Sequence, residues 1–323
     1  MEDKVPQIIE REFNAKVTEI KRITEGYSHS MYEVSIDKAP NVVIVRFANN
    51  KDKRFALKKE EYVIKLLQEH GVPAPKIYAF NEDSDGSYMI LEKIRGNRVD
   101  EIWNSISKEE KMEISQKIGE LLAKIHSIKL DKFGLIKEEG VIEEDIAFKF
   151  KQVGEPMVHS PFLRATFKKY NEDLSRLMSY HEISSEFISN YMKYLCDSRK
   201  ILEYNEKPVL NHGDFFPGHI FVEKTDRGYQ ITGLIDFELA CASAPSEDFI
   251  KLHRSGFFDD AELKEALKRG YGEINEKAVE TLRTIRDVSF AQVLFESGDI
   301  KLGKEILGKV KEKIGKEKDE KLL

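Results

Sequence analysis

Five short runs rich in β-branched and aromatic residues alternate with turn-rich spacers over the first 95 residues, a pattern that predicts strands. The runs span residues 17–23, 32–36, 42–47, 76–81 and 87–92. Between the third and fourth runs, residues 55–70 carry apolar positions three and four apart and stop at Gly71 and Pro73, which predicts a helix. The N-terminal part is therefore expected to be a small antiparallel sheet with one helix.

The apolar spacing becomes helical after Gly96. Ser107 and Glu110 have the spacing of a capping box, in which the hydroxyl accepts a hydrogen bond from the third helical amide and the carboxylate accepts one from the cap residue. Helical periodicity continues to about residue 203, short strands follow between 210 and 236, and helices resume from residue 246. The C-terminal part is expected to be mostly helical with a single strand pair.

Length and composition indicate a globular protein with more than one core. Hydrophobic residues make up 41% of the chain and charged residues 34%, and no apolar run approaches the roughly 20 residues needed to cross a bilayer. A chain of 323 residues exceeds what one compact core usually fills. We expect an α+β protein with two lobes, a strand-rich lobe at residues 1–94 and a helical lobe at residues 95–323.

Charge and cysteine content exclude several classes of function. The net charge is −6, which argues against a nucleic-acid binder because phosphate contacts need a basic face. Residues 1–4 carry acids and no apolar stretch, so neither a signal nor a transit peptide is expected. Cys196 and Cys241 are too few for a disulfide framework or a cysteine zinc site. We expect a cytoplasmic protein, a monomer or weak dimer that binds neither nucleic acid nor membrane.

Candidate chemistry concentrates between residues 210 and 236, where two predicted strands are joined by a turn-rich connection. Asp and Gly in that connection tolerate the positive φ of a tight turn. If the hairpin centre lies between Arg227 and Gly228, His219 lies directly opposite Asp236, at about 5 Å between Cβ atoms. Asp214 lies on the loop just before the hairpin. The spacing therefore predicts that three polar side chains meet at the open end of the hairpin.

One imidazole and two carboxylates in such a cluster suit a divalent cation and a proton acceptor. Carboxylate oxygens match Mg²⁺, which also favours phosphate oxygens as ligands. A buried polar network at a hairpin end explains the same spacing equally well. The residue types alone leave both interpretations open.

The sequence His212-Gly213-Asp214, followed by a possible ligand at His219 and then by Ile-Asp-Phe at 235–237, resembles the aminoglycoside phosphotransferase family. This family is the small-molecule branch of the protein-kinase-like fold. The similarity runs in order from about residue 24 to residue 249. It implies a small antiparallel-sheet N-terminal lobe that binds nucleotide and a larger, mostly helical C-terminal lobe that carries the catalytic loop and the substrate site.

The resemblance implies specific roles around this loop. Asp214 matches the catalytic aspartate that orients or accepts the proton of the attacking hydroxyl. Asp236 matches the aspartate that binds Mg²⁺ at the phosphates of ATP or GTP. His219 stands where most relatives carry Asn, and a neutral imidazole can ligate a metal, so we interpret it as a variant ligand. His212 and Asp248 are expected to brace the loop.

In the N-terminal lobe, the resemblance assigns nucleotide contacts to two segments. Ser28, His29 and Ser30 lie where the family's nucleotide loop lies, and backbone amides at such a loop tip can approach phosphates. Backbone groups of Glu92 and Ile94 would pair with the base. An ordinary hairpin turn would explain the first segment equally well.

Arg46 ends an apolar strand, where protein kinases carry Lys. An unpaired buried cation is costly, and its expected partner is Glu60 on the following helix, with the adjacent Glu61 as the alternative. The resemblance places the pair at the nucleotide phosphates. Trp103 and His126 are interpreted as packing residues.

The predicted activity is transfer of a γ-phosphoryl group to a small-molecule hydroxyl, an aminoglycoside being the leading acceptor. Glu238, directly after Phe237, is the candidate contact for an amine-bearing substrate, and an acidic stretch at residues 138–145 is a weaker one. The alternatives are a kinase of choline, homoserine, a sugar-like alcohol or a macrolide, and a catalytically silent nucleotide-binding module.

Overall fold

A five-stranded antiparallel sheet forms most of the N-terminal lobe. The computed structural model describes residues 1–24, 29–48, 51–83, 86–143, 172–179, 183–202 and 207–320. The strands are β1 (Val17–Ile23), β2 (His29–Ile36), β3 (Val42–Ala48), β4 (Ile77–Asp83) and β5 (Gly86–Glu92). They lie in the order β1-β2-β3-β5-β4, and each neighbouring pair is antiparallel. All five predicted strands are confirmed.

Helices cover both faces of this sheet. They are α1 (Val5–Phe13) and α2 (Lys51–Glu69). Side chains alternate between the two faces along a strand. Val43 and Val45 accordingly pack in one core cluster with α1, whereas Ala48 packs in another with α2. Arg46 shares the parity of Ala48, so the alternation directs its side chain toward α2.

The prediction of a single helix in this lobe is wrong, because α1 precedes β1. Its buried side chains are Val5, Ile8 and Ile9. With Phe13, which packs against the same cluster, these positions have the three- and four-residue spacing of an amphipathic helix, a signal that the prediction overlooked. Since so short a helix is marginal by itself in water, packing against the sheet stabilises α1.

The C-terminal lobe is mainly helical, as predicted. Its helices are α3 (Val99–Ile102), α4 (Lys108–His126), α5 (172–179), α6 (Ser185–Leu202), α7 (Phe249–Arg254), α8 (Ala261–Tyr271), α9 (Glu276–Ser297) and α10 (Ile300–Glu320). The capping box that starts α4 is confirmed. The Ser107 hydroxyl accepts from the Glu110 amide at 3.2 Å, and the Glu110 carboxylate accepts from the Ser107 amide at 2.8 Å.

Two small sheets, rather than a single strand pair, interrupt the helices of this lobe. One contains β6 (Asn97–Arg98), β10 (Ile220–Thr225) and β11 (Gly228–Leu234); the other contains β7 (Gly134–Ile136), β8 (Ile142–Glu143), β9 (Val209–Asn211) and β12 (Cys241–Ser243). The predicted pair is β10 and β11. The additional strands are two or three residues long, too short to show an alternation of polar and apolar positions.

The largest core cluster crosses from one lobe to the other. It joins Leu57 and Ile64 of α2 to Ile118 of α4 and to Phe215 and Phe237, which flank the candidate site. The apolar face of α2 is therefore buried partly by the C-terminal lobe. Among the described helices, none has a stretch long and apolar enough to traverse a membrane.

Candidate active site

The hairpin of β10 and β11 brings His219 to Asp236, although not in the predicted register. Thr225 pairs with Gly228, so the turn is centred between Asp226 and Arg227, one residue before the predicted centre. A bulge at Phe221–Val222 then shifts the register in the opposite sense. As a result, the Ile235 amide donates to the His219 carbonyl at 3.1 Å. The error therefore comes from the position of the turn, and the bulge reduces it from two residues to one along the partner strand.

Asp214, His219 and Asp236 form one cluster, as the sequence predicted. Each offers a potential ligand atom, and these atoms lie within 4.8 Å of one another. The His219 Nδ1 donates to the Asp214 backbone carbonyl at 2.9 Å, and its Nε2 lies 3.5 Å from the Asp236 Oδ2. Asp236 adopts a left-handed φ of 68°, a conformation that Asp tolerates better than most residues.

The cluster suits a cation. Burial lowers the pKa of His219, against the opposing charge of Asp236, so the ring is neutral at pH 7. Since a carbonyl can only accept, Nδ1 carries the ring proton and the Nε2 lone pair faces the Asp236 carboxylate. Two acceptors that face each other need a proton or a cation between them. The carboxylate oxygens fit Mg²⁺, whereas a neutral imidazole is more typical of transition metals, so His219 would be an unusual third ligand.

Asp248 fixes the backbone of the loop before Asp214. Its carboxylate accepts from the His212 amide at 2.7 Å and from the Gly213 amide at 2.9 Å. The His126 Nε2 lies 3.3 Å from the same carboxylate, so His126 supports the loop rather than merely filling space. Gly213 has φ +78°, and a Cβ there would lie 2.1 Å from the Leu239 carbonyl oxygen. The loop therefore requires glycine at this position.

His212 ties the loop to the strand end that carries Asp236. Its Nε2 donates to the Ile235 carbonyl at 3.0 Å, and its Nδ1 accepts from the Asp214 amide at 3.2 Å. The bond from the Asp214 amide requires the neutral ring, because a protonated Nδ1 has no lone pair to accept it. Complete burial lowers the pKa of His212 from 6.5 to about 4, so the ring keeps that form at neutral pH.

Arg46 and Glu60 form a buried ion pair that reaches the cluster. The Arg46 Nη1 lies 2.5 Å from the Glu60 Oε1, and the Arg46 Nη2 lies 4.0 Å from the Asp236 Oδ1. The Phe237 amide also donates to Glu60, at 3.4 Å. Burial raises the pKa of Glu60, and the Arg46 charge opposes that rise. Glu61 pairs instead with Lys65, at 2.6 Å.

The remaining N-terminal candidates lie along the sheet and the connection between the lobes. Ser28 lies outside the described residues, and His29 and Ser30 begin β2, where they pair with β3. The Glu92 amide donates to the Lys76 carbonyl at 2.8 Å. The Ile94 side chain packs against Gly233, where an added Cβ would lie 2.5 Å from it. Their nucleotide contacts stay a prediction.

Glu238 lies on the α2 side of the loop after Asp236. Burial raises the pKa of Glu60 and lowers the pKa of Lys59, and the negative charge of Glu238 adds to the first shift and opposes the second. The Lys59 ammonium donates to the Ala240 carbonyl at 3.0 Å, which joins α2 to the same loop. The contact of Glu238 with a substrate stays a prediction.

Two members of the acidic stretch have lysine partners. Glu138 lies 3.2 Å from Lys58, and Glu143 lies 2.9 Å from Lys137. The last two acids of the stretch, at 144 and 145, lie outside the described residues. The described part of the stretch gives no direct support to an acidic substrate cleft.

Sequence reasoning gave no role to Lys251, which forms an ion pair with the Asp214 carboxylate. Burial, together with the nearby charge of Arg254, lowers the pKa of Lys251 to about 8. The available signal was position, since Lys251 follows Asp248 by three residues and therefore lies on the same side of a helix. Nothing else in the sequence distinguishes Lys251 from a solvent-exposed lysine of a charged helix.

The fold is that of a phosphotransferase, as the match to a family model shows. The chain belongs to the phosphotransferase enzyme family designated APH, whose family model matches residues 19–285. The suspected resemblance is thus confirmed, and with it the expectation of a small-molecule phosphotransferase enzyme. No curated protein sequence shows a significant match to the chain.

Solved structures of similar fold support the architecture. An aminoglycoside 2'-phosphotransferase-IIIa solved with GDP superposes with a TM-score of 0.67 at 16% identity, covering 96% of this chain and 97% of that one. The macrolide 2'-phosphotransferase of Brachybacterium faecium gives 0.60 at 15% identity, covering 94% and 98%. A spectinomycin phosphotransferase bound to ADP and spectinomycin gives 0.57 at 10% identity, covering 95% and 93%. The predicted two-lobed α+β fold is confirmed.

Proposed function

We propose that this chain transfers the γ-phosphoryl group of ATP or GTP to a hydroxyl group of a small molecule, with an aminoglycoside as the leading acceptor. The observation that carries the proposal is the meeting of Asp214, His219 and Asp236 within 4.8 Å. Arg46 extends the cluster toward the N-terminal lobe, at 4.0 Å from Asp236. A structural polar network alone would not need a lone pair and a carboxylate facing each other.

The donor is proposed to lie between the lobes. Backbone groups of Glu92 and Ile94 would pair with the base, and the segment Ser28, His29 and Ser30 would approach the phosphates. Because the Glu92 amide already bonds Lys76, the base would use the Glu92 carbonyl and the Ile94 amide. Similar structures were solved with GDP, with ADP and with ATP, which supports a nucleotide donor without selecting one.

The negative charge of the phosphates would be balanced by Arg46 and by a Mg²⁺ ion bound to Asp236 and His219. Asp236 and His219 are the proposed Mg²⁺ ligands, and bound Mg²⁺ would neutralise negative charge on the phosphate oxygens. The Arg46 guanidinium suits phosphate oxygens through its planar fork. Glu60 keeps Arg46 oriented toward the cleft, since their ion pair is buried.

Asp214 would orient the acceptor hydroxyl and take its proton. The hydroxyl oxygen forms a bond to the γ-phosphorus while the bond between that phosphorus and the β–γ bridging oxygen breaks. The nucleoside diphosphate leaves with that oxygen, and the hydroxyl proton moves to the Asp214 carboxylate. The protein contributes mainly position and electrostatic stabilisation.

Two acceptor classes have support. Similar structures were solved with kanamycin or gentamicin, and Glu238 supplies a carboxylate on the loop after Asp236, which favours an amine-bearing sugar. The ion pair of Lys251 with Asp214 places a cation at the proposed base. That cation favours the second candidate, a sugar-like metabolic alcohol that has no positive charge near its reacting hydroxyl.

A nucleotide-consumption screen tests the proposal. The purified protein is incubated with Mg²⁺ and either ATP or GTP, together with aminoglycosides, macrolides and metabolic alcohols. We expect acceptor-dependent release of the diphosphate and a phosphorylated product by mass spectrometry. Mg²⁺-dependent thermal stabilisation by nucleotide without product from any acceptor would instead identify a silent binding module.

A further inference from the structure

We propose that Lys251 is a positioning residue, which holds the Asp214 carboxylate in its productive orientation. The inference rests on the proposed phosphoryl transfer and goes beyond the residues assigned above. Its first support is the direct ion pair between the Lys251 ammonium and the Asp214 Oδ1. The other carboxylate oxygen, Oδ2, lies 3.8 Å from the His219 Nδ1.

The helix α7 holds the loop at two points. Asp248 precedes its first residue and accepts from the amides of His212 and Gly213. Lys251 lies three residues later, on the same side of the helix, and reaches the side chain of Asp214. One residue of this short segment thus fixes the loop backbone, and the other fixes the carboxylate that the loop presents.

Phe216 keeps the Lys251 ammonium in place. The ammonium lies 5.3 Å from the centre of the Phe216 ring, a distance at which a cation is attracted to the ring face. The same ring packs edge-on against His219, with centroids 4.3 Å apart. Phe216 therefore separates Lys251 from His219, so that each approaches Asp214 from its own side.

This arrangement predicts an effect on turnover more than on nucleotide binding. A carboxylate that has one oxygen held by an ammonium cannot rotate freely, and the other oxygen is left for the hydroxyl. Misplacement of a reacting group by about 1 Å can lower a rate roughly 100-fold. The contacts of Lys251 are with Asp214 and Phe216 rather than with the proposed phosphate residue Arg46.

The test compares three variants of the full-length protein. Lys251→Met keeps a side chain of similar length over Phe216 but removes the charge, whereas Lys251→Arg keeps the charge. Arg254→Met is the matched control, because Arg254 lies on the same helix and pairs with Asp287 at 2.6 Å. For each protein we measure kcat and KM for the nucleotide with the best acceptor, together with slow triphosphate hydrolysis and thermal stability.

We expect Lys251→Met to lower kcat on the order of 10–100-fold, the usual effect of removing a residue that orients a functional group. The KM for nucleotide should change less than about threefold, Lys251→Arg should recover most of kcat, and Arg254→Met should retain it. Hydrolysis without acceptor should fall in parallel, since water would use the same carboxylate.

Three results would overturn the inference. They are an unchanged kcat in Lys251→Met, an equal loss in Arg254→Met, or a loss in Lys251→Met that follows its thermal stability and is not recovered by Lys251→Arg. A wild-type protein that neither transfers nor hydrolyses would overturn the proposed function itself, and with it this inference. An active wild type with a fully active Lys251→Met would overturn the inference alone.

Discussion

At the scale of single residues, the site depends on atoms whose hydrogen-bonding roles are set by their neighbours. The Asp214 carbonyl determines which nitrogen of His219 carries the proton, and the Ile235 carbonyl does the same for His212. Both rings are neutral at pH 7, because burial lowers their pKa values. A neutral imidazole is thus a candidate metal ligand at His219 and a structural hydrogen-bonding group at His212.

Replacement of Asp214 by Asn tests the proposed base. Asp214→Asn keeps the shape of the side chain but removes the charge and most of the basicity, so turnover should fall roughly 10²–10⁴-fold. Nucleotide affinity should change little, because Arg46 and Asp236 remain. The measurement is steady-state kinetics with nucleotide titration by thermal shift. Asp226→Asn, in the hairpin turn, is the control, and equal turnover in the two variants would contradict the role.

His212 makes the protein less stable in mild acid. In the unfolded chain the ring binds a proton below pH 6.5, whereas in the folded protein it does so only near pH 4. Its contribution to the free energy of unfolding is therefore complete above pH 6.5 and is lost as the pH falls toward 4. A displacement of this size corresponds to about 3 kcal/mol.

Denaturant unfolding of the wild type and of His212→Gln across this pH range checks the prediction. The variant should be less stable at neutral pH but should lose less stability on acidification. Carboxylates titrate in the same range in both proteins, so the difference between the two curves isolates the imidazole. Parallel curves would show that the buried ring does not control this loss. His70→Gln, at an exposed position, should follow the wild type.

At the scale of elements, two helices of the C-terminal lobe pack more closely than any residue other than glycine would allow. α4 and α8 pack through Gly119 and Gly270. A Cβ at Gly119 would lie 2.2 Å from the Leu267 carbonyl oxygen, and one at Gly270 would lie 1.9 Å from the Gln116 carbonyl oxygen. Since backbone atoms would have to move, the two helices cannot keep their present separation with larger residues.

The same substitution should therefore have opposite effects in two helices. Gly119→Ala should lower the free energy of unfolding by about 1–3 kcal/mol, because it overpacks the contact between α4 and α8. Gly308→Ala in α10 should raise it by about 0.5–1 kcal/mol, because nothing lies within 4 Å of the added methyl group and Ala favours helix. Chemical denaturation measures both. A stabilising Gly119→Ala would contradict the packing.

The elements also show how far local sequence signals extend. The five strands of the first sheet and the start of α4 at Ser107 follow from runs and caps that lie within one segment. The short strands β6 and β9 do not, since their stability comes from partners distant in sequence. The bulge at Phe221–Val222 changed the register of β10 and β11 without separating His219 from Asp236, because both lie at the open end of the hairpin.

At the scale of the whole molecule, the two lobes share a core and several polar links. Lys58 of α2 pairs with Glu82 at 2.6 Å and with Glu138 of the C-terminal lobe at 3.2 Å. We propose to place the boundary between residues 94 and 95. Shortly after it, Gly96 passes so close to β10 that an added Cβ would lie 2.3 Å from the Val222 carbonyl oxygen.

A ligand held by both lobes should stabilise the entire chain. Nucleotide with Mg²⁺, at about 100 times its dissociation constant, should add ~2.7 kcal/mol to the free energy of unfolding. The gain should appear as a shift of one unfolding transition, because the core cluster joins the lobes. Differential scanning calorimetry checks this, and a chelator should remove the Mg²⁺-dependent part. In Asp236→Asn, Mg²⁺ should add less to the stabilisation by nucleotide than it does in the wild type. An equal contribution from Mg²⁺ in the variant would contradict the assignment of Asp236 as a ligand.

The sequence by itself determined the strand-rich and helical halves, the hairpin between residues 220 and 235, and the candidates Asp214, His219 and Asp236. It could do so because strands, caps and the order of the loop motif depend on residues that are neighbours in the chain. The tertiary structure decided that Glu60 rather than Glu61 meets Arg46, and that Lys251 meets Asp214. These pairs join separate elements, and only packing of the elements determines which side chains face each other.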